Sequence, residues 1–316
     1  MESKRIYLLP QKGNLYKTNL HCHTTVSDGK FTPAEIKEMY KAHGYHAVAY
    51  TDHQIAKPHG ELTDESFVAL TGIEIAAMGD IAPSCVHACG ISRDPDAEIF
   101  IENTVGDYVT DINRGIAILN EKNCITTLNH PRWSGTTPEM MREIKGYKNI
   151  EVLNGYEDVN DGYGDCSETY EAELRRGNTP LPVATDDSHG AYEGGAGLEY
   201  FRGFTMIKAR ELTYSALIEA LDAGDFYASS GAVIKELWIE DGVLHIECSP
   251  VYGIYIHGKR YTHRKALASS TDSFECVDVD LRDKFSDSDY IYVQVAARNG
   301  TRAWTQAYSL KGIFDK

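Results

Sequence analysis

Nine side chains of the kinds that bind metal ions recur between residues 21 and 189, most of them one or two residues after a short apolar run. The set is His21, His23, Asp28, His53, Glu74, His87, His130, Asp187 and His189. Imidazoles suit zinc, manganese or iron, and a carboxylate can bridge two such ions. The recurrence of these groups at the ends of predicted strands therefore predicts a centre with two or three divalent metal ions.

Each of these residues is a weak signal on its own. His21 and His23 are separated by one residue, so both rings face the same side of an extended segment, but such pairs are common by chance. His53 and His130 taken singly are typical of packed or surface histidines. No cysteine is needed in the set, which argues against a closed structural zinc site, and nine ligands around three ions leave positions for water and substrate.

Strand and helix signals alternate through the first two-thirds of the chain. Capping signals at Thr32 with Glu35, and at Thr136 with Glu139, predict the starts of two helices, and further helices are predicted over 111–123, 167–177 and 212–224. Apolar runs predict strands at 18–21, 47–51, 67–75, 125–129, 150–154, 181–185 and 203–209. This alternation is typical of a parallel α/β protein. Ligands after successive strands favour a (β/α) barrel over an open doubly wound sheet, and no glycine-rich phosphate loop is present.

The character of the sequence changes after Ser230–Gly231. The remaining segments are β-rich and alternating, are joined by polar turns, and contain no helix signal. They predict a small antiparallel sheet or sandwich after the barrel. We therefore predict two domains, at 14–232 and 233–316.

Composition narrows the function further. The chain has 316 residues, of which 42% are hydrophobic, and a formal charge of −16, so an extended nucleic-acid surface and binding to anionic membranes are not expected. No apolar stretch is long enough for a signal peptide or a membrane span. The seven cysteines are odd in number and scattered, so we expect reduced thiols and a cytoplasmic location. Cys22 and Cys89 are interpreted as core-filling residues.

The ordered motifs HCH, SDG, TDH, GIE, HACG, NHP and DSH resemble those of the polymerase and histidinol phosphatase (PHP) superfamily of metal-dependent phosphoesterases. The resemblance covers about residues 14–232, and FYASSG, LHIECSP and RAWTQA in the tail resemble segments that follow this domain in uncharacterised members. It implies a distorted (β/α)7 barrel with a small all-β, sandwich-like C-terminal domain.

The resemblance also implies a ligand assignment. His21, His23, Glu74 and Asp187 would hold the first ion, Glu74 with His87 and His130 the second, and Asp28, His53 and His189 the third. The oligonucleotidase branch carries a helical insertion between its counterparts of His87 and His130, and the 42 residues here are too few for it. Histidinol phosphatases generally lack the β-rich tail, so the resemblance indicates the chemistry better than the substrate.

The expected reaction is hydrolysis of a small phosphorylated metabolite or nucleotide, by attack of a hydroxide held between two metal ions. No protein nucleophile is required. Arg132 could bind a phosphate oxygen or form a surface ion pair, Trp133 could stack on a base or sugar or pack at the rim, and Arg202 is a weaker phosphate candidate. Asp186 could orient an imidazole or have no role. The acidic stretch 156–165 is interpreted as a mobile rim loop.

Two alternatives stay open at this point. Metal-dependent amidohydrolases also begin with HxH, although their barrels typically end with a lone aspartate and use a mid-barrel lysine. A non-catalytic metal-binding module is the other alternative, although all nine ligands are intact. The native metal, the preference for monoesters or diesters, the leaving-group acid and the oligomeric state also stay open.

Overall fold

The computed structural model describes residues 5–79, 85–190, 198–260, 262–266 and 272–314. Over these ranges the chain is a strand-rich mixed α/β protein. Its helices are α1 (Pro33–Ala42), α2 (Tyr108–Glu121), α3 (Pro138–Glu143), α4 (Gly155–Asn160), α5 (Ser167–Arg176) and α6 (Tyr214–Ala223). No helix in the described ranges combines the length and apolarity needed to cross a membrane.

All seven strands predicted from the apolar runs are present, within a few residues of their predicted bounds. The strands of the first 230 residues are β1 (Arg5–Tyr7), β2 (Asn14–Asn19), β3 (Ala47–Tyr50), β4 (Ile55–Ala56), β5 (Val68–Gly79), β6 (Cys85–Ser92), β7 (Ile99–Phe100), β8 (Thr104–Gly106), β9 (Cys124–Leu128), β10 (Asn149–Asn154), β11 (Leu181–Thr185), β12 (Phe204–Ala209) and β13 (Phe226–Ser229). The later strands are β14 (Ile234–Glu240), β15 (Val243–Val251), β16 (Gly253–Gly258), β17 (Thr262–Ala266), β18 (Phe274–Asp280), β19 (Tyr290–Ala296), β20 (Arg302–Thr305) and β21 (Tyr308–Ser309).

Both capping signals lie at helix starts, one of them shifted by a residue. At α1 the Thr32 hydroxyl accepts from the Glu35 backbone N–H (3.3 Å), and the Thr32 N–H donates to the Glu35 carboxylate (2.8 Å), so the predicted capping box is confirmed. At α3 the capping residue is Thr137 rather than Thr136. The reason is Pro138, which is favoured at the first helical position and so makes the residue before it the cap.

Seven strands of one large sheet surround the predicted ligands, in the order β11-β10-β9-β6-β5-β3-β2. The neighbours within β2-β3-β5 and within β9-β10-β11 are parallel, whereas β6 is antiparallel to both β5 and β9. A parallel crossover needs about a dozen residues or more, and only five separate β5 from β6. The predicted uniform alternation of parallel strands and helices is therefore wrong at β6.

The first and last of these seven strands are joined just beyond their carboxyl ends. The His23 N–H donates to the Ser188 carbonyl (3.0 Å), and the Asp187 N–H donates to the His21 carbonyl (3.0 Å). Two ligand segments that are more than 160 residues apart in sequence therefore meet side by side.

The strands after residue 232 are antiparallel, and no α-helix lies among the described residues there, in agreement with the predicted β-rich tail. β14, β15 and β18 form a four-stranded sheet with β1, while β16, β17, β19, β20 and β21 extend the large sheet through the β13–β20 pair. Ile246 and Val293 from these two sheets belong to the same buried cluster as Tyr40 and Phe67. The core therefore crosses residue 232, and the division into two domains stays a prediction.

Candidate metal centre

The structure brings all nine predicted residues together, but two of them do not follow strand ends. Six come after the carboxyl ends of parallel strands, and Asp28 lies in the turn that follows His23. Glu74 lies within β5 and His87 within β6, where the antiparallel register pairs Glu74 with Cys89 and Ala76 with His87. The long hairpin of β5 and β6 therefore supplies these two side chains from its middle.

The turn that carries Asp28 is fixed by a buried aspartate and a glycine. Asp52 accepts hydrogen bonds from the backbone N–H groups of Thr24 (2.7 Å) and Ser27 (3.1 Å). A Cβ at Gly29 would lie 2.4 Å from the His23 carbonyl carbon. The close approach of this turn to His23 requires glycine in the SDG motif.

Backbone strain occurs within the predicted ligand set. His130 has φ = 24° and Asp187 has φ = 52°, and Gln54, directly after His53, has φ = 65°. The described part of the chain has six non-glycine residues with positive φ, and half of them are predicted ligands or adjoin one. Such strain persists where the surrounding structure imposes it, and it is frequent at functional sites.

The most buried group consists of His21, His23, Glu74 and Asp187. The Nε2 atoms of His21 and His23 lie 3.1 Å apart and are 3.1 and 3.2 Å from Asp187 Oδ1. The same two nitrogens are 3.1 and 3.3 Å from the Glu74 oxygens. One ion bound 2.0–2.2 Å from each atom would place such ligand atoms about 3 Å apart. The spacing of this group fits a divalent ion.

Glu74 belongs to this group and also contacts histidines of the two other groups. Its Oε1 is 3.1 Å from His87 Nδ1 and 3.6 Å from His130 Nε2, and its Oε2 is 3.1 Å from His53 Nδ1. The carboxylate is 1% exposed. A single carboxylate in contact with three separate sets of imidazoles is suited to bridging two ions.

The third group lies on the solvent side. Asp28 Oδ2 is 3.5 Å from His53 Nε2 and 3.8 Å from His189 Nε2, and one atom each of His23, Asp28, His53 and His189 lie within 4.8 Å of one another. The Asp28 side chain is 55% exposed. The centre therefore has a closed end at Glu74 and an end open to solvent at Asp28.

The buried histidines and carboxylates of the centre shift one another's pKa values towards their charged forms. Burial lowers the pKa of His23, but Asp187 and Glu74 raise it more, to about 9. Burial acts to raise the pKa values of Glu74 and Asp187, yet nearby histidines bring both well below the usual range. Asp187 Oδ1 is a buried oxygen to which no described group donates a hydrogen bond of good geometry. Divalent ions would replace the protons on these imidazoles, because metal binding to such ligands releases them.

Glu151, within β10, is a residue that the sequence-based interpretation missed. Its Oε1 accepts hydrogen bonds from His21 Nδ1 (2.8 Å) and the Thr185 hydroxyl (2.6 Å), and its Oε2 accepts from the His130 N–H (2.8 Å). A carboxylate on the far nitrogen of a ligand histidine fixes the ring and raises its basicity. The signal in the sequence is an acid inside the otherwise apolar strand IEVLN.

Two asparagines and a cysteine complete the surroundings. Asn129 donates to Glu74 Oε1 (2.7 Å) and to the Cys89 sulfur (3.1 Å), and Asn154 donates to Asp187 Oδ2 (3.0 Å). The Cys89 sulfur also lies within 4.8 Å of His21 and Glu74 ligand atoms. Cys89 is therefore packed against the centre, and its interpretation as a core-filling residue omits this contact.

Asp186 does not orient an imidazole. Its carboxylate accepts hydrogen bonds from the backbone N–H groups of Phe201, Arg202 and Gly203, each 2.8 Å, and from the Tyr40 hydroxyl (2.9 Å). Burial raises its pKa to about 6, although these four donors lower it. The role of Asp186 is to anchor the segment before β12.

The three predicted substrate-binding residues differ in their contacts. The Trp133 ring packs 4.9 Å from that of His130 and 5.8 Å from that of His87. Arg132 lies over the Tyr163 ring (5.2 Å) and donates to the Asp165 carbonyl (3.4 Å). Arg202 donates to the Leu198 carbonyl (2.6 Å) and pairs with Asp158 (3.6 Å). Trp133 thus contacts rings of the centre, whereas the described contacts of the two arginines are with neighbouring loops and α4.

The acidic segment 156–165 lies at the rim, but it is not simply a loop. Its first half forms α4, because Asn154 caps the helix by accepting from the Glu157 N–H (3.1 Å). The ring of Tyr156 lies 4.9 Å from that of His189. The sequence-based interpretation missed this cap.

No protein-family model matches the chain, and no curated protein sequence matches it. Among solved structures, it matches a two-domain protein from Bacteroides vulgatus that contains a predicted PHP-like metal-dependent phosphoesterase, with 17% identity, a TM-score of 0.50, and 96% of this chain and 98% of that chain covered. It also matches a candidate metal-dependent phosphoesterase from Bifidobacterium adolescentis (15% identity, TM-score 0.38, 60% and 91% covered). A third match is an amidohydrolase from Chromobacterium violaceum with bound sulfate and no metal (14% identity, TM-score 0.37, 54% and 87% covered).

The chain therefore shares the fold of this two-domain protein from Bacteroides vulgatus over nearly its whole length. The resemblance predicted from the motifs is confirmed at the level of the fold.

Proposed function

We propose that this protein is a metal-dependent phosphoesterase that hydrolyses a small phosphorylated metabolite or nucleotide. The proposal is carried by one observation, the convergence of six imidazoles and three carboxylates with ligand atoms about 3–4 Å apart, the spacing expected around shared ions. Zinc, manganese or iron would bind in the three groups described above. Residues 14–232 would form the catalytic unit, as a distorted seven-stranded barrel supported by the hydrogen bonds that join β2 to β11.

Bound divalent ions would activate water at neutral pH and offset the charge that develops on a phosphate. The chain's own residues would orient the ligands and the substrate. Glu151 and Asn154 hold His21 and Asp187 in place. Trp133 would pack against the organic part of the substrate, and Arg132 and Arg202 would meet phosphate oxygens if they exchange their present partners.

The solvent-side group supports a phosphoesterase over an amidohydrolase. Asp28, His53 and His189 lie together beside the buried groups, whereas amidohydrolase barrels typically end with a lone aspartate. A third ion at this open end would add positive charge where a phosphate dianion enters.

The test begins with elemental analysis of the protein as isolated. The protein is then stripped with a chelator and reloaded separately with manganese, zinc or iron. We expect the loaded protein to hydrolyse p-nitrophenyl phosphate or its bis-ester, and members of a phosphorylated-metabolite panel, and to lose turnover on chelation. Failure with every metal and ester would reject the proposal. Cleavage of amides or lactones without phosphate release would move the protein to the amidohydrolases.

A further inference from the structure

Cys89 in β6 is a buried thiol beside the centre to which the proposed function assigns no role. The residue is 1% exposed. Cys124 in the neighbouring strand β9 belongs to a hydrophobic cluster, whereas the hydrophobic clusters of the described residues do not include Cys89. Filling an apolar core therefore does not explain this thiol.

Strand pairing places the Cys89 sulfur against two predicted ligands. Cys89 is the register partner of Glu74 in the antiparallel pair of β5 and β6, so the two side chains lie on the same face of the sheet. The sulfur and one ligand atom each of His21 and Glu74 lie within 4.8 Å of one another. Around one zinc ion, sulfur and nitrogen ligands in tetrahedral positions would be about 3.5 Å apart. Small side-chain movements would therefore let these three donor atoms share one ion.

The hydrogen bonds of Asn129 show that the sulfur is an acceptor. The Asn129 Oδ1 accepts from the Cys89 backbone N–H (3.3 Å), and its Nδ2 donates to Glu74 Oε1 (2.7 Å). Since a backbone N–H can only donate, these contacts fix which end of the amide is the nitrogen. The same Nδ2 donates to the Cys89 sulfur (3.1 Å). An amide donor directed at the sulfur favours a thiolate, which is the form of cysteine that binds metal ions.

A second observation points to a cation at His21. The His21 Nε2 lies 3.1 Å from Asp187 Oδ1, a buried oxygen to which no described group donates a hydrogen bond of good geometry. Most buried polar atoms in proteins have a partner, because desolvation without one is costly. A cation held by His21 would be the missing partner of this oxygen.

We propose that Cys89 is a thiolate ligand of the most buried ion, together with His21 and Glu74, and that it makes this position select zinc over manganese. The inference rests on the metal centre of the proposed function. Thiolate is a soft ligand that suits zinc, whereas manganese prefers carboxylate, carbonyl and water oxygens. On binding, Cys89 loses its proton to solvent, and the electron pair left on the sulfur is donated to the ion.

Cobalt substitution provides a test that needs no substrate. The protein is stripped with a chelator and loaded with cobalt(II), which replaces zinc and gives a near-ultraviolet charge-transfer band when it is bonded to a thiolate. We expect this band in the wild type and its loss in Cys89→Ala. The matched control is Cys124→Ala, which removes another buried sulfur and should keep the band. Circular dichroism checks that both variants are folded.

Metal affinity separates ligation from packing. Zinc and manganese affinities are measured by competition with a chelator, for the wild type and for Cys89→Ser, which keeps the size of the side chain and an acceptor for Asn129. We expect the variant to bind zinc about 100-fold more weakly or worse, a larger loss than is usual for the outer partner of a ligand. Its manganese affinity should change little, because manganese does not depend on sulfur.

Each outcome decides the inference. A cobalt-loaded wild type without the band would overturn it, and so would a band that persists in Cys89→Ala and disappears in Cys85→Ala, on the same face of β6. Equal losses of zinc and manganese affinity would indicate a packing role and overturn it as well.

The two proposals can fail separately. A wild-type protein that binds no metal ion would reject the centre, and with it both the proposed function and the role of Cys89. A protein that shows the Cys89-dependent band but hydrolyses no ester would reject the phosphoesterase function and leave Cys89 assigned as a ligand.

Discussion

The buried part of the candidate metal centre and the carboxylates immediately behind it are both acidic, but the carboxylate oxygens of the two regions have different partners. We call Asp52, Glu151 and Asp186 the supporting carboxylates. The adjacent residues Asp186 and Asp187 show the contrast. Asp186 accepts four hydrogen bonds from backbone and tyrosine donors, whereas Asp187 has a buried oxygen without one and faces histidine rings.

This difference separates two functions of a buried acid. A carboxylate whose oxygens accept directed hydrogen bonds fixes the chain around it, and its removal leaves buried donors unpaired. A carboxylate oxygen that faces imidazoles and accepts no directed hydrogen bond, such as Asp187 Oδ1, provides negative charge for a cation. The two regions should therefore respond differently to substitution.

The largest effect is expected from a substitution in the centre itself. Asp187→Ala removes a carboxylate shared by the most buried group, so we expect loss of bound metal and a decrease in kcat/KM of about 10³-fold or more, the scale of losing one electrostatic catalytic group. His53→Ala should act in the same direction. Elemental analysis and initial rates measure both effects, and circular dichroism should show a retained fold. Unchanged rates would reject the assigned centre.

The neighbouring residue should affect stability instead. Asp186→Ala leaves three backbone N–H groups without their acceptor, whereas the Tyr40 hydroxyl can still donate to Ser188 Oγ, 2.9 Å away. We therefore expect the free energy of unfolding to fall by about 3 kcal/mol or more. Denaturant unfolding of the metal-free protein measures the change. Asp186→Asn, which keeps one acceptor oxygen, should lose less. Loss of metal without loss of stability would place Asp186 functionally in the centre.

Glu151 joins the two regions, because it is a supporting carboxylate bonded to a ligand histidine. Glu151→Gln should weaken metal binding by about 10–100-fold, as is usual for the outer partner of a ligand histidine. Competition with a chelator of known affinity measures the change. The exposed Glu168→Gln in α5 is the control. An unchanged affinity would show that His21 is oriented without this hydrogen bond.

The smallest effect is expected at the surface, at the partly exposed carboxylate of Asp222, which accepts hydrogen bonds from two basic side chains. Asp222 accepts from Arg93 (2.7 and 2.6 Å) and Lys148 (2.8 Å), and chiefly the Arg93 hydrogen bonds lower its pKa to about 2. The folded pKa is below the unfolded value of about 3.9, so the stabilisation is present above pH 4 and is lost as pH falls towards 2. Asp222→Asn should therefore be less stable than wild type at pH 7, by about 1 kcal/mol or less, and the difference should shrink near pH 2. A difference independent of pH would contradict this account, and Asp283→Asn serves as the exposed control.

The sequence indicated the members of the centre better than their placement. His130 and Asp187 follow apolar runs, and the recurrence of such residue types after apolar runs indicated metal chemistry. Glu74 was also identified, although it lies inside a long strand rather than at a strand end. The antiparallel strand β6 was not predicted, because the run around His87 carries no signal for the direction of its neighbours.

The amino-acid sequence by itself determined the local features: the alternation of apolar and polar residues, the Thr32 cap, the glycine that the SDG turn requires, and the kinds of atom offered to a cation. These depend on residues close together in the chain, so they can be read from it.

Only the tertiary structure decided which carboxylates accept a full set of hydrogen bonds and which present an oxygen to the histidine rings. The donors to Glu151 come from residues 21, 130, 154 and 185. Hydrogen bonding and desolvation depend on what surrounds a group in space. For this reason Asp186 and Asp187 are adjacent and chemically identical in the sequence, but have opposite roles in the folded protein.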